Sequence, residues 1–297
     1  MSASPSVPIP APLAAQAERT AARPTWWLTL RRSNRTLIGL AILLIVVALT
    51  LLAPVIGRYD PNYGDFDNIL GRPTAAHIFG TDNFGRDVFT RVLYGYRVSM
   101  LVGVVSVLAA VAIGAPLGLL AGYFGSLVDN LIMRPLDLLM SFPAILLAIT
   151  LIAVFGTKQS VTILALALIY FPIMARVLRG SVITVRGEEY VEAARAIGAK
   201  PLRVMLRHIL PNSLGPLVVQ ASISMGIAIL IEAALSFIGL GTQPPNPSLG
   251  GMLAEGRDFM REAPWVVTFP GLALMLAVLG FNLLGDGLRD LIAAERS

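Results

Sequence analysis

Cysteine is absent from the 297 residues, which removes disulfides, thiolate metal sites and cysteine nucleophiles together. Histidine is almost absent: His77 and His208 stand far apart, with no neighbour in sequence to complete a metal site or a catalytic triad. Charge is scarce as well. Only 14% of the residues are Asp, Glu, Lys or Arg, against roughly a quarter in soluble domains, while 56% are hydrophobic. With a mean hydropathy of +0.74, this composition is that of an integral membrane protein. The net charge of +5 would suggest nucleic acid in a soluble chain. In a membrane protein the cytoplasmic loops collect Lys and Arg, so the lipid membrane is the expected partner and nucleic acid is not. A Gly-Lys dipeptide is also missing. The run GTDNFGRD spaces Gly80 and Gly85 as in a phosphate-binding loop, but continues with Arg86 and Asp87 where Lys and Ser or Thr are needed. No cofactor, metal or catalytic residue is expected in this chain.

Long apolar runs are abundant. Residues 1–25, rich in Ala, Pro and Ser, read as a disordered cytoplasmic N-terminus. Residues 26–57 hold Trp26 and Trp27 at the interface, the basic cluster Arg31, Arg32 and Arg35, and a first span too long for a signal peptide. A polar extracytoplasmic segment, 58–96, precedes a core, 97–290, with five further spans at about 98–123, 127–155, 161–178, 214–240 and 265–284. The third is too long for one crossing, and Pro135 and Pro143 are expected to kink it. Residues 291–297 form a short tail. Six spans place both termini on one side. A cytoplasmic start puts 15 of the 23 Lys and Arg inside and eight outside, which favours a multi-pass cell-membrane protein with cytoplasmic termini.

One polar island interrupts the core within a cytoplasmic loop, 179–212. Its run GEEYVEAARAIGAKPLRVMLRHILPN reads as two short helices. Glu188 and Glu189 favour a helix start, and Gly198 suits a left-handed C-cap. Tyr190, Ala194 and Ile197 follow an apolar spacing; Pro201 opens the second helix, Leu202, Met205, Leu206 and Ile209 form its stripe, and Pro211 is expected to stop it. An amphipathic pair on a tether is a docking element. A DNA-binding helix-turn-helix is unsuitable between two spans, and an interfacial helix lying on the bilayer remains an alternative.

Polar residues inside spans are costly and usually functional. Gln220, Ser224, Glu232 and Ser236 form a stripe at four-residue spacing that either lines a translocation path or hydrogen-bonds between helices. Arg134 and Asp137, three apart, are expected to form a structural pair.

Glu192-Ala193-Ala194, Gly198 and the closing Leu210-Pro211 resemble the EAA loop of ATP-binding-cassette importer permeases. GTDNFGRDVFTRVLYGYRVSM, IEAALSFIGLGTQPPNPSLGGML and PGLALMLAVLGFNLLGDGLRD are similar to boxes of the C-type branch of the dipeptide, oligopeptide and nickel importers. The Trp usual before Gly250 is Leu249 here, and the tail is LIAAERS. The resemblance implies an all-α protein with six transmembrane helices in the type I importer permease fold. It implies a homologous permease subunit as heterodimer partner, two cytoplasmic ATPases that bind ATP and Mg, and an extracytoplasmic substrate-binding protein. On it, Glu189, Glu192, Ala193, Ala194, Gly198, Arg203, Leu210 and Pro211 form the ATPase-coupling loop. The expected function is peptide import, with the ATPase activity in the partner subunits. Import of a nickel chelate, glutathione or another small solute is the alternative, and a gradient-driven secondary transporter using Glu232 or Asp137 is the competing class.

Overall fold

A computed structural model describes residues 34–295; the expected disordered N-terminus and the Trp26–Trp27 belt lie outside them. The described residues are helical, with two isolated bridges, Gly64 to Arg86 and Thr81 to Asp87, and no strand. Helix α1 is Asn34–Ile56, α2 Val88–Phe124, α3 Ser126–Met140, α4 Ala144–Phe155, α5 Gln159–Arg186 and α6 Glu189–Ala196. Helix α7 runs Pro201–Phe237, α8 Leu249–Gly256 and α9 Trp265–Glu295. Five helices are long and apolar enough to cross a membrane, or six when α3 and α4 count as one broken span.

Helices α2 and α5 share the most extensive packing, and glycine explains it. A Cβ at Gly114 or Gly118 would overlap the carbonyl oxygens of Phe171 and Ala175, and one at Gly122 would lie 2.7 Å from Val182. In lipid there is little hydrophobic gain from helix association, so small residues at four-residue spacing, which let backbones approach, carry it instead. The α2–α5 seam continues into a core of Val107, Leu166, Met174, Leu178 and Leu217 that takes in α7. A second core, including Leu43, Val92, Leu249 and Phe281, joins α1, α2, α8 and α9.

Helices α5 and α9 run on to Arg186 and Glu295, past the expected ends at 178 and 284, and three further differences have local causes. Helix α2 begins at Val88, ten residues early, because Asp87 caps it by accepting from Thr90 N at 2.8 Å. The third span is two helices bent by 85°. Pro143 lacks an N–H and disfavours helix at Phe142, so the break falls there, whereas α3 continues as helix past Pro135. Pro211 does not end a helix. It sits inside α7 after a π-helical stretch, Val204–Ile209, whose wider turns leave room for the proline ring.

Candidate functional site

The loop between α5 and α7 is built on a division of faces. Val191 of α6, with Val204, Met205 and Ile209 at the start of α7, is buried in the core shared with Leu178, Val182 and Val185, and Ala194 of α6 is buried too. Tyr190, Ile197, Leu202 and Leu206 are exposed, Ile197 at 86%. The buried face therefore keeps Ala194 of the expected Tyr190–Ala194–Ile197 stripe but takes Val191 instead of Tyr190 and leaves Ile197 outside, and of the expected α7 stripe only Met205 and Ile209 turn inward. Of the residues assigned to coupling, Glu189, Glu192, Ala193, Gly198, Arg203 and Pro211 are exposed, Leu210 is half-buried, and Ala194 packs into its own subunit.

Gly198 (φ +81°) ends α6. Ala199 N donates to Ala194 O at 3.1 Å, a left-handed cap that turns the chain toward Pro201 and leaves open space around Gly198. The loop is tied to the rest of the molecule by two arginines. Arg186 Nη1 donates to Tyr123 O at 2.8 Å, satisfying a terminal carbonyl of α2, and Arg195 lies 5.1 Å over the Tyr123 ring. Desolvation, and then the Glu188 carboxylate, hold the Tyr190 phenol above its ordinary pKa.

Arg134 and Asp137 do not pair. Asp137 instead bonds Arg176 on α5, and Arg179 Nη2 donates to Asp129 at 2.5 Å, so the acids of α3 reach across to the next helix. The Asp137 carboxylate is taken by the guanidinium of the neighbouring helix in place of that of Arg134.

The intramembrane stripe divides too. Glu232 is 1% exposed and accepts from Ser99 of α2 at 2.9 Å and from Ser236 at 2.8 Å. Ser224 is buried and accepts from Gln220 Nε2 at 3.2 Å. Gln220 lines a 550 Å³ cavity with Val177, Pro216 and Arg289. Glu232 thus joins α2 to α7, while the Gln220 end of the stripe borders open space.

Sequence reasoning passed over a charged cluster at the other end of α7. Arg86 donates to Asp82 and to Glu255, each at 2.6 Å. Arg91, 2% exposed, lies 3.5 Å from the same two carboxylates and donates to Pro61 O at 3.0 Å. His77 Nδ1 meets Asp87 at 2.9 Å beneath the stacked Tyr59 ring, and Trp265 Nε1 donates to Thr81 O at 3.1 Å. These contacts fold residues 58–87 down onto α8 and α9.

Residues 114–296 match the family described as binding-protein-dependent transport system inner membrane component, and residues 25–73 match the N-terminal TM domain of oligopeptide transport permease C. The chain belongs to this permease family. The permease is 46% identical to the dipeptide transport system permease protein DppC of Alkalihalophilus pseudofirmus, over 88% of this chain and 86% of that one. It is 47% identical to a putative peptide transport system permease of Brucella suis, over 88% of each chain. It is 44% identical to the glutathione transport system permease GsiD of Pectobacterium atrosepticum, over 92% and 90%. A chain of the MetNI methionine ABC transporter, solved in inward-facing conformations, superposes with a TM-score of 0.56 at 21% identity, over 68% of this permease and 95% of that chain. The fold is that of a type I importer permease, and the permease is a multi-pass membrane subunit of an ATP-binding-cassette importer.

Proposed function

We propose that the permease carries short peptides inward, driven by ATP hydrolysis in partner subunits, and that the α6 loop is where that drive enters. The carrying observation is the divided loop: an exposed apolar patch of Tyr190, Ile197, Leu202 and Leu206, held rigidly from behind by Val191, Val204 and Ile209. An apolar patch with acidic and basic residues at its rim (Glu189, Glu192, Arg203) suits a groove on a cytoplasmic ATPase. This reading puts the loop and both termini in the cytoplasm and residues 58–87 with α8 outside. The assembly it requires is a heterodimer with a homologous permease, two ATPases holding ATP and Mg, and an extracytoplasmic substrate-binding protein. No cofactor is assigned to this chain.

In the mechanism, closure of the ATPases moves the docked loop, and α7, continuous from Pro201 to Phe237, carries that displacement across the membrane. The ion pairs of α3 with Arg176 and Arg179 carry α3 along with α5. The permease contributes no bond-making chemistry; it turns ATPase closure into helix motion. Peptide as cargo rests on the relatives named for dipeptides, peptides and glutathione, the last itself a short peptide. Uptake by vesicles containing the complete complex tests the reading. ATP-dependent accumulation of a dipeptide or glutathione supports it. Accumulation driven by a proton gradient without the ATPases contradicts it.

A further inference from the structure

The charged cluster at the outer end of α7 borders two depressions that meet at Glu255. The smaller, 160 Å³, is lined by Arg91, Ser236, Gln243 and Asn246. The larger, 620 Å³, is an open groove walled by Asn62, Asn83, Phe84, Arg86 and Pro245, within the roughly 300–1,000 Å³ of small-molecule sites. Glu255 and Pro244 line both.

The valences left open on the wall are specific. Arg86 uses Nε on Asp82 and Nη2 on Glu255, and its Nη1 makes no hydrogen bond among the described residues. Glu255 receives both guanidinium contacts on Oε2, and its Oε1 has no partner among them. The carboxylate is 26% exposed, whereas Arg86 is held at 8%. The side-chain amides of Asn62 and Asn83 are also without hydrogen bonds among the described residues, and the Phe84 ring lies under the Arg86 guanidinium at 4.5 Å. The groove therefore offers one fixed cationic donor, one anionic acceptor, two amides and an apolar floor.

We propose that this groove is a transit site for the zwitterionic backbone of a short peptide. The peptide's carboxylate bonds Arg86 Nη1, its ammonium bonds Glu255 Oε1, and its peptide unit pairs with Asn62 and Asn83 while its side chains lie on Phe84, Pro244 and Pro245. Charge balance favours such a guest. The cluster holds two arginines and two carboxylates, and a zwitterion adds no net charge to it. A peptide blocked at either end leaves Arg86 Nη1 or Glu255 Oε1 without its new partner, and an unmade polar contact of this kind is the basis for rejecting an analogue. This proposal rests on the peptide-import reading and adds to it a place in this chain where both peptide ends are read.

The test uses the complete permease–ATPase complex, held with ATP by hydrolysis-deficient ATPases and free of binding protein. Equilibrium binding of radiolabelled dialanine, N-acetyl-dialanine and dialanine amide is measured. Dialanine is expected to bind at least ten-fold more tightly than either blocked form. Glu255→Gln is expected to erase the discrimination against the acetylated peptide and keep that against the amide. Equal binding of all three to the wild type, or unchanged discrimination in Glu255→Gln, overturns the proposal. If Glu255→Gln does not assemble, Phe84→Ala serves, with dialanine binding expected to fall at least ten-fold and unchanged binding overturning the site. Uptake by the wild-type complex with its binding protein separates the two readings. ATP-driven dipeptide uptake with no discrimination in the binding assay removes the groove alone, whereas absence of any peptide uptake removes the import reading and the groove's ligand with it.

Discussion

Glu232 and Gly198 sit at opposite ends of what a single residue does in a membrane subunit. Glu232 is a carboxylate inside the protein whose hydrogen bonds come from two hydroxyls, Ser99 and Ser236, the second also accepting from Thr242 N at 3.1 Å. Removing one donor leaves a buried oxygen unsatisfied, at about 1–3 kcal/mol. Ser99→Ala is therefore expected to lower the thermal unfolding midpoint of the purified complex, while Ser99→Thr, which keeps the hydroxyl, lowers it less. Equal midpoints for Ser99→Ala and wild type would show that the bond to α2 is not structural. Gly198 has the opposite character, with a left-handed backbone and nothing around it. A side chain there costs about 1–2 kcal/mol of local backbone strain. Gly198→Ala is expected to speed amide exchange in α6 and leave the membrane core untouched. Gly198 at φ +81° is legible in sequence, because a glycine after an amphipathic stretch is the usual left-handed cap. The Arg86–Glu255 bond is not legible, because its partners lie 169 positions apart and Arg86 already has a local partner in Asp82, four residues away.

Helices in this chain are chosen by composition and placed by glycine and proline. The apolar runs alone reveal the spans, since a membrane leaves few other backbone solutions. Their exact limits depend on contacts that composition does not carry. Asp87 starts α2 early because residues 58–87 fold back over its first turns, and Pro211 passes through α7 because a π-helical stretch opens before it. Pro135 and Pro143 look alike in sequence, yet only Pro143 breaks the chain, since there the non-helical Ser141–Phe142 link precedes it. The Gly114–Gly118–Gly122 spacing is visible in the sequence, but its partner helix is not. Gly118→Leu is expected to drive α2 and α5 apart, because its side chain meets backbone at Ala175, which cannot rotate away. Loss of folded subunit from the membrane fraction is the expected result, and normal accumulation with native thermal stability contradicts the packing account. The α3–α5 pairs are milder. Asp129 and Arg179 are partly exposed, so swapping the two charges has little effect on stability. The double variant Asp129→Arg with Arg179→Asp is expected to restore uptake lost in the single Asp129→Arg variant, and failure of that rescue would show that the pair is not what links α3 to α5.

At the scale of the whole molecule, one long helix joins the apolar patch of the α6 loop to the charged cluster around Arg86 and Glu255. Helix α7 begins in the loop that holds Leu202 and Leu206, passes Gln220 at the 550 Å³ cavity, and ends at Phe237 beside the 160 Å³ depression. A displacement at its start meets the π-helical turns and the missing N–H of Pro216, but no break in the helix before Phe237. The central claim is that the patch around Gly198 transmits ATPase closure to this helix. The most direct test is the ratio of dipeptide imported to ATP hydrolysed in vesicles bearing the complete complex, compared between wild type and Gly198→Trp. With the subunit present in the membrane at wild-type amounts, the account predicts that import falls at least ten-fold while hydrolysis persists. An unchanged ratio with normal import would contradict it.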